Sequence, residues 1–467
     1  MEPLALVLAA CLGAPPPAPE DSPNPASPAT AESAFRVELP PHRHAAELLP
    51  RSPFGINMAL DPGDPDIEAR LAAMQEIGIK WGRQDFTWKR IEKTQGSYDF
   101  GPYERLVEDC RRRGILLFGN LAYSPEFHDP RTPEGAEAYA HFARAAAIAF
   151  AGKVDDWQIW NEPNGGFWKG SPEEYARLLA AAGKAIHEAN PRSRVLGLNM
   201  AFCDVIWAER ILKLVPHDSF DIACFHPYRP PCSPEEKFDW WELDHYVKRW
   251  HAKDLGPDYP LVRMSFLEQT AELVKVMEMF GKPKPIWITE ICWNTHIHPY
   301  GTSELRQADL AVRFHALALA SGRIEKVFWW TLKDIGDRQF DQADMVGLAR
   351  ADLKPKYAYY AHGVMARMLE GKRALRVDAA GPDVHAVIFG EEGSGEETIL
   401  AWATKPYAYV RVENEKGLAI TDVYGTRRQV PMHPVRTRRL SIPLGESPVY
   451  ITGPKGLKAT VRPDPGW

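Results

Sequence analysis

Two glutamates stand out by what precedes them. Glu162 ends the run Trp157-Gln158-Ile159-Trp160-Asn161-Glu162, and Glu290 ends Ile286-Trp287-Ile288-Thr289-Glu290, each the first charge after a stretch of large side chains. Short apolar runs rich in aromatic and β-branched residues read as buried strands, so each carboxylate sits where a strand emerges. Two carboxylates facing one another can cleave a glycosidic bond: one protonates the leaving oxygen while the other attacks the sugar carbon or activates water. A pair of ion-paired structural carboxylates is the plain alternative.

The elements that must position them can be counted. Strand-like runs fall at 54–58, 80–86, 115–123, 156–161, 194–202, 220–228, 285–293 and 326–333. Segments with helical periodicity follow them, at about 64–77, 100–113, 134–150, 172–190, 204–215, 264–281, 303–321 and 355–370. Ser171-Pro172-Glu173-Glu174 and Thr132-Pro133-Glu134 put a cap, a first-turn proline and first-turn acids in order, and Gly78, Gly114, Gly281 and Gly322 close helices. Eight alternating units predict the α/β class and a closed (β/α)8 TIM barrel, whose chemistry gathers at the carboxyl ends of the strands. An open doubly wound sheet would carry a glycine-rich phosphate turn after its first strand, and the chain has none there. Arg83, Asp85, Asn120, Asn161, Asn199, His226, Tyr228, Trp329 and Trp330 all fall at or near the expected ends.

The flanks differ in character. Residues 34–371 form the expected barrel unit, and 372–467 change to short alternating strands with Gly, Pro, Asp and Asn turns, a C-terminal β-sandwich module. A strand at 35–39 is expected to pair with that module. Residues 1–33 read as a signal-like segment followed by a Pro/Ala/Ser-rich tether: Leu4 to Ala10 is apolar, and Leu8-Ala9-Ala10-Cys11 resembles a lipobox, although Glu2 stands where a positive residue belongs. Export is therefore expected, with a lipid on Cys11 as the one route to a membrane. No later stretch reaches the roughly 18 unbroken apolar residues of a span.

Composition fits a soluble protein with a large core, at 45% apolar and 25% charged residues. A net charge of −6 without a basic block argues against nucleic acid as a partner. The 15 tryptophans suit a carbohydrate partner, whose apolar C–H faces aromatic rings can cover, and equally suit a large core. Cys110, Cys203, Cys224, Cys232 and Cys292 have no Cys-x-x-Cys spacing and read as buried thiols, a Cys224–Cys232 pair being the alternative. His296-Ile297-His298 has metal-like spacing without an acidic or cysteine partner, so neither a metal nor another cofactor is expected.

The motif Trp160-Asn161-Glu162-Pro163-Asn164 at the fourth strand, Glu290 at the seventh and His226-Pro227-Tyr228 at the sixth resemble clan A of the retaining glycoside hydrolases. Within the clan the pattern is most similar to family 39, which includes β-xylosidases, α-iduronidases and exopolysaccharide-cleaving endoglycosidases; Gly445-Glu446-Ser447-Pro448-Val449-Tyr450-Ile451 in the module also fits. The resemblance covers 54–453 and implies Glu162 as acid/base and Glu290 as nucleophile. Asn161 is then placed to bond a sugar 2-hydroxyl, Tyr228 and Arg83 to donate to Glu290 with His226 nearby, and Trp330 to floor the reactive subsite, with Trp329 facing the opposite way. Asn120 and Trp168 complete the expected substrate-binding set, and the segment 229–263, with Trp240, Trp241 and Trp250, is long enough to wall a cleft. A barrel that binds glycan without cleaving it and a transglycosylase using the same two glutamates are the competing readings.

Overall fold

A computed structural model describes residues 50–237, 263–379, 383–405, 408–413, 417–430 and 439–463. Eight strands, β1 (Phe54–Asn57), β2 (Trp81–Thr87), β3 (Leu116–Ala122), β4 (Asp156–Ile159), β5 (Arg194–Ala201), β6 (Ile222–His226), β7 (Ile286–Ile291) and β8 (Ile324–Trp329), pair in sequence order and close into a barrel. Closure is parallel, with Phe54 opposite Val327 and Ile56 opposite Trp329. Each lies inside or within two residues of an expected run, because a strand buried on both faces leaves a nearly continuous apolar signature.

The helices are α1 (Ile67–Glu76), α2 (Trp88–Ile91), α3 (Gly101–Arg112), α4 (Pro133–Ala149), α5 (Pro172–Ala189), α6 (Val205–Leu214), α7 (Phe266–Glu278), α8 (Glu304–Ala320) and α9 (Tyr357–Leu369). Helix α5 begins with a full capping box, Ser171 and Glu174 each bonding the other's backbone N–H, and Thr132 caps α4 through Gly135. Helix α7 has the same box from Ser265 and Glu268. The four-residue α2 was not expected, since one turn is too short to carry a helical period.

Trp81, Phe118, Trp287 and Phe328, with Leu196, Ile222 and Cys224, fill part of the barrel interior. The rings of Phe118 and Phe328 meet edge to face at 4.7 Å, and a Cβ at Gly55 would strike the Phe328 ring at 2.3 Å, so the packing requires glycine there. Lys326 closes this layer. Its Nζ donates to the carbonyls of Pro50 (2.7 Å) and Ser52 (2.9 Å) and lies 4.3 Å from the Trp81 ring centroid. Burial pushes its ammonium down to about 7. Between about pH 7 and the ordinary lysine value near 10.4, the unfolded chain therefore holds a proton that the native chain has released, and this group's contribution to stability rises with pH. Urea unfolding of wild type and Lys326→Met at pH 7 and pH 9.5 should show the wild type gaining relative to the variant at the higher pH. A difference that does not change with pH would contradict the assignment.

Beyond α9 the chain forms β9 (Arg373–Ala379), β10 (Val384–Gly390), β11 (Glu396–Ala403), β12 (Ala408–Glu413), β13 (Leu418–Asp422), β14 (Arg427–Val430), β15 (Arg439–Leu444), β16 (Val449–Pro454) and β17 (Lys458–Pro463). Six of them make an antiparallel sheet in the order β14-β13-β16-β11-β10-β9, and three make a second sheet, β15-β12-β17. Alternation divides the larger sheet's side chains: Ala386, Ile388, Ile399 and Ala401 share a core with Val410, Val412 and Ile442 of the smaller sheet, whereas Val387, Phe389, Leu400 and Trp402 join the barrel's core. The expected strand at 35–39 lies outside the described residues, as do 1–33 with Cys11.

Among the described residues, Glu235 ties this module to the segment after β6. Glu235 accepts a two-point ion pair from Arg313 of α8 (2.9 and 2.7 Å) and a bond from the Trp402 indole of β11 (2.7 Å). The segment is further fixed by the buried Arg229, which bonds Gln269 and the carbonyls of Glu236 and Met264. No helix among the described residues is long and apolar enough to cross a membrane. The five described cysteines are buried and none is in a disulfide, so Cys224 and Cys232 are not bridged.

Candidate active site

The backbone at the carboxyl end of β4 is strained. Trp160 (φ 64°) and Glu162 (φ 42°) adopt left-handed conformations that side chains with a Cβ rarely hold. They are over-determined by their surroundings: Trp160 N–H donates to Leu121 O (3.0 Å), its indole donates to Phe167 O (2.9 Å), and Gly165 N–H donates to Glu162 O (2.9 Å). Tyr123, Leu198, Asn199 and Phe202, on or just after β3 and β5, share the left-handed region, so strain gathers on the face of the barrel where Glu162 emerges.

Glu162 and Glu290 are brought together from opposite sides of the barrel. Carboxylate oxygens of the two, with one ring nitrogen of His226, all lie within 4.8 Å of one another. Their environments differ. Glu290 accepts from Arg83 through Oε1 (2.5 Å) and from the Tyr228 hydroxyl through Oε2 (2.7 Å). Arg83 also donates to Asn161 Oδ1 (2.7 Å), which turns the amide's NH2 end away from the guanidinium. Burial alone would lower the pKa of Arg83, but the charges of Glu290 and Asp85 more than offset it, so the guanidinium stays charged. Burial, followed by the charge of Glu290, pushes the Tyr228 phenol well up, and it remains a donor.

Glu162 instead meets a histidine. His226 Nδ1 lies 2.8 Å from Glu162 Oε1 and 3.7 Å from Glu290 Oε2, while its Nε2 lies 2.9 Å from Thr289 Oγ1. A hydroxyl can donate or accept, so two arrangements keep both bonds. With Glu162 ionised, Nδ1–H donates to it and Thr289 donates to Nε2; with Glu162 protonated, the acid donates to Nδ1 and Nε2–H donates to Thr289. The glutamate can change protonation state without losing its partner.

The remaining expected residues divide by depth. Asn120 is fully buried, donating to Asp85 Oδ1 (2.8 Å) and accepting from Gln158 (3.1 Å), so it braces the wall rather than reaching a ligand. Arg83 and His226 are likewise buried, Arg83 against Glu290 and Asn161 and His226 against Glu162. Trp329 is buried with its indole bonded to Val346 O (3.1 Å), and Trp330 is half-buried, in keeping with strand alternation. Trp168 is 6% exposed with its indole N–H committed to Ser171 O (3.2 Å); the exposed ring of that loop is its neighbour Phe167, at 45%. Trp240, Trp241 and Trp250 lie outside the described residues.

Two residues at the site were not among the expected ligands. Asp85 at β2 and Tyr123 after β3 are half-buried, and burial, then the charge of Asp85, pushes the Tyr123 phenol up. Asp85 carried a signal, a charge at a strand end; Tyr123 looked like one more apolar strand residue. Glu162, His226 and Glu290 offer one atom each to a cation, but Glu290 is already paired with a guanidinium, and the three atoms are engaged by protein partners. His296 and His298 stack on each other with ring centroids 5.5 Å apart.

No protein-family model and no curated protein sequence matches this chain. Among solved structures, it is similar to a family 39 glycoside hydrolase from the gut symbiont Bacteroides cellulosilyticus, with a TM-score of 0.71 at 22% identity over 86% of this chain and 81% of the other. It is also similar to a family 39 β-xylosidase from Caulobacter crescentus (TM-score 0.57, 17% identity, 86% and 96% covered). A family 30 xylanase from Clostridium acetobutylicum matches at 0.55, 13% identity, 86% and 95% covered. The chain thus shares the fold of these glycoside hydrolases, a (β/α)8 barrel with a β module, as its residues suggested.

Proposed function

We propose that this protein is a glycoside hydrolase that cleaves O-glycosidic bonds in an oligo- or polysaccharide by double displacement. The observation that carries this reading is the apposition of Glu162 and Glu290 within 4.8 Å, each with different partners. Retaining enzymes hold their carboxyl groups about 5 to 5.5 Å apart, whereas inverting enzymes need about 6.5 to 9.5 Å for an intervening water. Glu290, held in place by Arg83 and Tyr228, attacks the anomeric carbon as Glu162 protonates the departing oxygen. Glu162, now a carboxylate, takes a proton from water, which displaces Glu290 and restores both groups. Asn161 offers its NH2 to the sugar's 2-hydroxyl, and Trp330 packs beneath the ring. The described fold neighbours bearing glycosidase names support the class of reaction, and the sugar is left to experiment. Export, with a lipid on Cys11 as the only membrane attachment, belongs to the same reading.

Proton NMR of a running reaction tests it: the first sugar released should have the anomeric configuration of the substrate. An inverted first product would contradict double displacement. Adding an acceptor sugar distinguishes transfer from hydrolysis, because a transglycosylase yields acceptor adducts in place of free sugar.

A further inference from the structure

Between the segment that follows β3 and the one that follows β4, which carries Glu162, lies a depression of ≈ 410 Å³. One wall is aromatic, formed by Trp160, Phe167 and Trp168. The other is polar, with Glu126, His128, Asp129 and Lys169. A sugar ring has that same division, apolar on its C–H face and hydroxylated at its edge. The aromatic wall is also continuous with the catalytic centre. Tyr123, whose phenol feels the charges of Asp85, Arg83, Glu290 and Glu162, has its ring 6.2 Å from Phe167 and 6.1 Å from Trp160. Phe167 is held ready, its carbonyl accepting the Trp160 indole, while its ring stays 45% exposed. That exposure has no use in the core; a ring so fixed and so open loses little freedom when a ligand covers it.

Charge narrows the occupant. Arg131, on the polar rim, is spent on a two-point bond to Asp129 (2.8 and 2.8 Å). Lys169 and Glu126 have no opposite charge paired with them among the described residues, one of each sign. His128 lies against buried Glu92 at 3.3 Å. The lining offers no excess of cations with which to select a carboxylated or sulfated sugar.

We propose that this depression is a second sugar-binding subsite, which holds a neutral residue of the same glycan away from the scissile bond, with Phe167 as its stacking platform. It rests on the hydrolase reading above. The enzyme is then built for chains of at least three sugars rather than for single sugars on small leaving groups.

The test uses the full chain with nitrophenyl monosaccharides and the matching neutral trisaccharides of xylose, glucose, galactose and mannose. In Phe167→Ala, kcat/KM for the trisaccharide that the wild type cleaves should fall about tenfold, while the value for the nitrophenyl glycoside of the same sugar stays within about twofold. Phe167→Trp should restore the trisaccharide value. An unchanged trisaccharide value in Phe167→Ala overturns the subsite and leaves the hydrolase reading intact. Equal losses on both substrates overturn it too, by making Phe167 a support of the reactive centre. A Glu290→Gln variant that binds none of the trisaccharides overturns the neutral-sugar subsite, while the hydrolase reading is judged separately, by the anomeric configuration of the first product.

Discussion

Glu290→Gln is expected to lower turnover by about 10⁴-fold while preserving glycan binding. The amide has the shape of the carboxylate but neither its charge nor its nucleophilicity, so the covalent step has no attacking group. The variant should still fold: its carbonyl oxygen can accept from Arg83, and the Tyr228 hydroxyl can turn to accept from the new NH2. It should be less stable, because Arg83 keeps its burial and loses its charged partner, a change that costs about 3 kcal/mol when a buried pair is broken. Thermal unfolding beside steady-state kinetics separates the two effects. Near wild-type turnover in a folded variant would remove Glu290 from the mechanism.

The second large effect belongs to Glu162→Ala and depends on the leaving group. A sugar alkoxide departs slowly without a proton, so cleavage of a natural glycan should slow by about 10³-fold, within the range of general acid catalysis. A dinitrophenolate departs unaided, and its first step should slow less than about tenfold. Water would then have no base to activate it, the glycosyl-enzyme would accumulate, and a burst of phenolate should precede a slow steady rate. Equal slowing of good and poor leaving groups, with no burst, would take the acid/base role away from Glu162.

Much of this arrangement was legible before any coordinates, for a physical reason. A strand buried on both faces must be apolar along its length, so the first charge after it marks the point of emergence, and Glu162 and Glu290 are such charges. Helix starts were legible because Ser171 and Thr132 satisfy orphan backbone N–H groups that no apolar residue can. Depth was not legible. Asn120 and Asn161 are both asparagines near strand ends, yet one is sealed between Asp85 and Gln158 and the other, next to Glu162, accepts from the same Arg83 that holds Glu290. Tyr123 and Phe167 escaped notice because an aromatic residue at a strand end or in a loop reads as core, and only the meeting of two segments distant in sequence gives either a role. Strand β14, Arg427–Val430, is polar and largely exposed, and carries no alternation to read.

The mechanism and its assignment of Glu290 stand or fall on a covalent intermediate. Intact-mass spectrometry of the full chain after incubation with 2-fluoro glycosides of xylose, glucose, galactose and arabinose, followed by peptide mapping, looks for it directly. The electron-withdrawing fluorine slows both steps, and a good leaving group at the anomeric carbon keeps the first one feasible. A stable adduct is expected with one of these sugars, mapped to Glu290 and missing from Glu290→Gln. An adduct on any other residue, or rapid turnover of the same compounds with inversion and no adduct, would contradict it.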